Sequence, residues 1–147
     1  MPTHRRSFVL RWKRTGHQAV RHHQKRTKLK RCGTYLTLCQ VGELPDGEAR
    51  GFDPFGHGRD ALFLVRRGKT IKAYRNRCPH QGASLPWQRN AYLNADGTRI
   101  VCSAHGAEFD LDNGMCVRGA ALGHSLETVE ISVTSGGAVM AQLNPPP

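Results

Sequence analysis

Apolar and polar residues alternate along this chain mostly at the two-residue period of half-buried strands. Helical periodicity is nearly absent after residue 32. Thr34 to Val41 reads as a strand. Ala61 to Arg66 and Thr70 to Arg75 flank Arg67-Gly68-Lys69 and predict a hairpin. Arg99 to Cys102 predicts a short strand, and Cys116 alternates with Val117 in another. Thr128 to Thr134 and Ala138 to Leu143 flank Ser135-Gly136-Gly137 and predict a second hairpin. Tyr92 to Gly97 has the composition of a turn. The expectation is an all-β domain over residues 34–143, about 110 residues and enough for one core.

Charge divides the chain differently. The formal charge is +11, yet Met1 to Arg31 holds eleven Lys or Arg and no acid, and Cys32 onward holds eleven of each sign. Residues 1–33 are therefore expected to be a disordered basic tail, because such a run buries too little apolar surface to offset its chain entropy. Residues 144–147 form a Pro-rich end. Arg5-Arg6-Ser7-Phe8-Val9 has the look of a twin-arginine export signal, but Arg11, Trp12, Lys13 and Arg14 interrupt the apolar stretch that export requires. An Arg-rich, acid-free start also fits a mitochondrial presequence, although no apolar helical face supports it. Phosphate attraction through the tail is non-specific, and no folded nucleic-acid motif accompanies it. No run of eighteen apolar residues is present, so no membrane span is expected. Unpaired cysteines without an export signal point to a cytoplasmic location.

The chemistry concentrates in two short segments, Cys78-Pro79-His80 and Cys102-Ser103-Ala104-His105. The first continues Gln81-Gly82-Ala83, the second Gly106-Ala107-Glu108-Phe109. Two thiols and two imidazoles converging from two loops can bind a soft or borderline metal. Each loop gives one of each kind. Zinc modules instead pair Cys with Cys and His with His, a spacing this chain lacks. A zinc-binding module with a nucleic-acid-binding tail is kept as the distant alternative.

The ligand pattern resembles that of Rieske [2Fe–2S] proteins, and the likeness runs through His105-Gly106-Ala107-Glu108-Phe109-Asp110-Leu111 to Asn113-Gly114-Met115-Cys116-Val117 and Gly119. It covers about Thr34 to Leu143. Two departures are visible. The usual Pro after Gly119 is Ala120, and the His80–Cys102 gap of twenty-one residues is slightly long. The resemblance implies stacked antiparallel sheets with two cluster-binding loops at one end and one [2Fe–2S] cluster per chain. Cys78 and Cys102 would bind the inner iron, and His80 and His105 the outer iron through Nδ1. Such a cluster is neutral when oxidised, which places its potential between about −150 and +300 mV, against about −400 mV for all-thiolate ferredoxins. High-potential relatives add an inter-loop disulfide and hydroxyls that hydrogen-bond the sulfurs. The matching positions here are Ala83, Ala104, Ala107 and Phe109, so the low end of the range is expected.

The function implied is that of a single-electron carrier, a ferredoxin-like protein or small redox subunit with no catalysis of its own. The alternative is the electron-entry subunit of a multi-component oxygenase or nitrite reductase. Its partners would be redox proteins: a reductase as donor and an oxygenase or other reductase as acceptor. An oxygenase needs a further iron held by two His and a carboxylate. Outside the tail only His57 and His124 remain, in no paired motif. The docking surface is expected around Gln81, Leu85, Pro86, Trp87 and Gly106.

Overall fold

A computed structural model describes residues 33–144. The expected tail and Pro-rich end fall, apart from Gly33 and Asn144, outside those residues. The described residues form nine strands: β1 (Thr34–Gln40), β2 (Ala49–Phe52), β3 (Leu62–Arg67), β4 (Thr70–Arg75), β5 (Ile100–Cys102), β6 (Ala107–Phe109), β7 (Cys116–Arg118), β8 (Ile131–Val133) and β9 (Ala138–Leu143). A single 3₁₀ turn, Val41–Glu43, follows β1. The strands make three antiparallel sheets of three, ordered β1-β9-β8, β2-β3-β4 and β5-β6-β7. This is the all-β architecture that the period-two pattern predicts. Among the described residues no helix is long and apolar enough to cross a membrane.

Strand β3 explains the layering. Its run Leu62-Phe63-Leu64-Val65 is buried throughout. Successive side chains of a strand point to opposite faces, so Leu62 and Leu64 enter one core while Phe63 and Val65 enter another. The first core gathers Val139, Ala141 and Leu143 of β9 and Val129. The second gathers Tyr74, Tyr92, Ile100, Phe109 and the two loop cysteines Cys78 and Cys102. Phe63 stacks on Tyr92 at 4.1 Å between centroids and meets Tyr74 at 5.8 Å. The β2-β3-β4 sheet therefore has apolar packing on both sides, and the two loop cysteines belong to only one of them.

Several expected boundaries moved: β3 runs from Leu62 to Arg67, which leaves Gly68-Lys69 as the hairpin turn, and β5 starts at Ile100. Val41 leaves the sheet because the 3₁₀ turn begins there. The segment expected as one strand over Thr128 to Thr134 serves two sheets instead. Thr128 bridges Tyr74, and the Val129 N–H donates to the Ala73 carbonyl at 2.9 Å, whereas Ile131–Val133 pairs with β9. The chain passes from one sheet to the next at Glu130. Strands β2 and β6 carry too few residues to show a period.

Tyr74 and Tyr92 are fully buried. The Tyr74 hydroxyl donates to the Leu111 carbonyl at 2.9 Å, and the Tyr92 hydroxyl to the Asp60 carboxylate at 2.8 Å. Burial, with smaller contributions from Asp110 and Asp112, pushes Tyr74 from 10.0 up to about 12. Burial and the Asp60 carboxylate raise Tyr92 as well. A folded-state value above the unfolded one favours folding below the unfolded value and loses that benefit as pH climbs through the folded one. The Tyr74 contribution, on the order of 2–3 kcal/mol, should thus fade between about pH 10 and 12. Urea midpoints measured across that window should fall, and fall less steeply in Tyr74→Phe; parallel slopes would reject the assignment.

Candidate metal centre

The two predicted loops are built alike. The Gly82 N–H donates to the Cys78 carbonyl at 2.8 Å, and the Gly106 N–H donates to the Cys102 carbonyl at 2.9 Å. Each loop is therefore a five-residue α-turn that begins at the cysteine. In each, the cysteine is buried and the histidine exposed. The loops are also tied to each other, since the Ser103 N–H donates to the Leu85 carbonyl at 2.8 Å.

The four side chains come together as two pairs. The Cys78 and Cys102 thiols lie within hydrogen-bonding reach, and both are free. Burial pushes the Cys78 thiol up and the Cys102 sulfur adds to this, while the backbone N–H groups of His80 and Gln81 pull it down. The His80 and His105 rings stand edge-on with centroids 5.0 Å apart. Among the described residues no three His, Cys, Asp or Glu gather tightly enough to hold one metal ion. Two adjacent pairs, sulfur inside and nitrogen outside, suit a binuclear group with unlike irons. Backbone N–H groups aimed at a sulfur suit thiolate rather than thiol.

Support for the first loop comes from a residue that spacing did not single out. Asn76 Nδ2 donates to the Asp60 carbonyl at 3.0 Å and to Ser84 Oγ at 2.8 Å, and its Oδ1 accepts the Leu85 N–H at 2.9 Å. Its own N–H donates to the Ala61 carbonyl at 3.0 Å. Asn76 thus spans the base of the loop from both sides. Its nearness to Cys78 in sequence was the only available signal. Asn76→Ala should cost about 2–3 kcal/mol and speed iron release under chelator. Asn76→Asp, which retains the acceptor for Leu85, should lose less. Equal iron-release rates in wild type and Asn76→Ala would remove Asn76 from this role.

The remaining candidates divide clearly. Leu85 is fully buried, so it braces the first loop from within and is no part of an exposed tip. Trp87 is 73% exposed and so is not a core brace. Gln81 and Gly106 are exposed. Cys116 is buried in β7, where its thiol donates to the Arg118 carbonyl at 3.2 Å; Cys39 is buried in the other core. His57 and His124 are exposed and separate from the four site residues. Ala107 and Phe109, beside the second loop, are buried and bring no hydroxyl.

Three antiparallel sheets with two Cys/His loops at one end define an all-β protein built around a binuclear metal centre. The Rieske [2Fe–2S] domain model matches residues 34–131, and the chain belongs to that family. Its cofactor is one [2Fe–2S] cluster, for which the two pairs provide a fitting donor set. Among solved structures, the chain is similar to the ferredoxin of Sphingomonas yanoikuyae B1, with 25% identity, 76% of this chain and 100% of that one covered, and a TM-score of 0.57. It is also similar to a chain in the complex of reduced oxygenase and oxidised ferredoxin of carbazole 1,9a-dioxygenase, with 26% identity, coverages of 74% and 92%, and a TM-score of 0.58. The ferredoxin of carbazole 1,9a-dioxygenase from Nocardioides aromaticivorans IC177 shares the fold at 22% identity, with coverages of 76% and 99% and a TM-score of 0.58. A comparison with curated proteins returns no match.

Proposed function

We propose that Cys78 and Cys102 hold the inner iron and His80 and His105 the outer iron, and that the domain over residues 34–143 is the electron-carrying unit. The observation that carries this reading is the sorting of the four side chains: two buried sulfurs side by side, two exposed rings edge to edge. When bound, the cluster supplies a reversible one-electron couple. The protein's part is to keep water from the thiolates, to aim the His80 and Gln81 N–H groups at Cys78, and to leave the imidazole edges open to a partner. The partners are redox proteins, a reductase as donor and an oxygenase component as acceptor. A cytoplasmic location, from the free cysteines, completes the reading.

Reduced protein should give the paramagnetic resonance spectrum of mixed His/Cys ligation, whose average g-value differs from that of an all-Cys cluster. Voltammetry should place the midpoint in the lower part of the range from about −150 to +300 mV, because neither Ala107 nor Phe109 offers a hydroxyl. A midpoint above about +100 mV would overturn the low-potential reading, and an all-Cys g-value would overturn the ligand set.

A further inference from the structure

We propose that a cationic cleft along the flank of the first loop docks an acidic redox partner protein. This rests on the reading of His80 as an exposed cluster ligand. Three adjoining hollows form the cleft. Arg89 and Arg59 line the first, Arg59 and Arg77 line the second, of about 620 Å³, and Arg77 shares the third with Cys78 and His80. The path thus ends at the ring through which the electron would leave.

Two carboxylates also line this path, Asp60 and Glu127, and each has a partner. Asp60 accepts the Tyr92 hydroxyl at 2.8 Å, and Glu127 lies 3.7 Å from Arg75. Arg59, Arg77 and Arg89 have no carboxylate within ion-pair distance among the described residues. The chain from Cys32 onward is neutral in sum, so three unpaired guanidiniums here are a local segregation of charge. Arg89 also borders a separate hollow on its other side, which Glu43, Glu48 and Arg50 line. Exposed arginines are ordinarily just solvated. Here they line a path that ends at the exposed His80, and Trp87, two residues before Arg89 in sequence, is exposed as well.

The fork of a guanidinium fits a carboxylate with two parallel hydrogen bonds. Trp and Arg are the side chains that most often dominate protein interfaces. Arg77 is held against the loop, since a Cβ on Gly82 would stand 3.2 Å from its Nε. The occupant that fits is therefore a protein with carboxylates around its own electron entry. Unlike charges also hasten such encounters.

The test uses full-length, cluster-loaded protein, chemically reduced and mixed with plastocyanin, an acidic copper protein, or with cytochrome c, a basic haem protein. One electron leaves the protein and reduces Cu(II) to Cu(I), or Fe(III) haem to Fe(II). Arg59→Glu/Arg89→Glu should slow plastocyanin reduction at low salt by about tenfold or more, flatten its salt dependence and speed cytochrome c. Arg67→Glu/Lys69→Glu makes the same change in net charge at the β3–β4 turn, outside the cleft, and so controls for the tail and the overall field. It should slow plastocyanin by less than about twofold. Equal slowing by both double variants, or by neither, would overturn the docking proposal while leaving the cluster intact. Unchanged resonance spectra and midpoints confirm that the variants are loaded. If the double reversal loses the cluster, Arg59→Gln/Arg89→Gln asks the same question, and no slowing there overturns the proposal. Wild type that never acquires iron would overturn the ligand reading beneath it.

Discussion

Cys78→Ser should leave the protein without a Rieske-type signal, and Cys102→Ser should do the same. The effect is expected to be all or none. A thiolate is a soft ligand already deprotonated on a metal, whereas a serine hydroxyl is hard and keeps its proton at neutral pH. Both cysteines are buried, at 2% and 1% exposure, so no exchangeable outside ligand can take the vacant position easily. Cys116→Ser and Cys39→Ser are the controls. These residues are buried too, but stand outside the two loops. Iron and acid-labile sulfide should stay near wild-type content in both controls and vanish in the first two. A normal signal in Cys78→Ser would end the ligand assignment, and loss of iron in Cys116→Ser would move it.

Gly119→Ala should have the second-largest effect. Gly119 sits at φ +97°, a conformation that side chains resist, and a Cβ there would stand 2.9 Å from Ala107 Cα and 3.3 Å from the Gly106 carbonyl. Both obstacles are backbone, of the first residue of β6 and of the loop residue before it, so neither can swing aside. Gly123, at φ +83°, has nothing within 4 Å of where its Cβ would stand. Gly123→Ala should therefore show conformational strain alone, of order 1–3 kcal/mol. Gly119→Ala should show that strain plus the displacement of the second loop, about 2–4 kcal/mol in all. It should also shorten the lifetime of the cluster in air. Equal lifetimes in the two variants would show that the 119 region does not clamp the second loop.

Much of this was legible in the sequence, for reasons that vary by element. The β3–β4 hairpin was readable because its two runs are long, apolar and joined by a Gly-containing turn. The four candidate ligands were readable because each pair sits within four residues, so spacing stands in for distance. Strand β2 was not readable. It is four residues long, and Gly51 occurs in it because a side chain there would overlap the Asp60 carboxylate and the Tyr92 hydroxyl, partners far away in sequence. The Asn76 brace, the Ser103–Leu85 tie and the Gly119 contact share that character. Each depends on an encounter between distant segments, which no local pattern records. Leu85 was misplaced for the same reason: an apolar residue beside a loop tip can point inward or outward, and only the second core decides.

Strand β3 divides the interior into two compartments, and the two loop cysteines belong to just one of them. The compartment floored by Val139, Ala141 and Leu143 is complete from amino acids alone. Assembly of the inorganic centre can thus be the closing act of maturation, performed on a foundation that has already set.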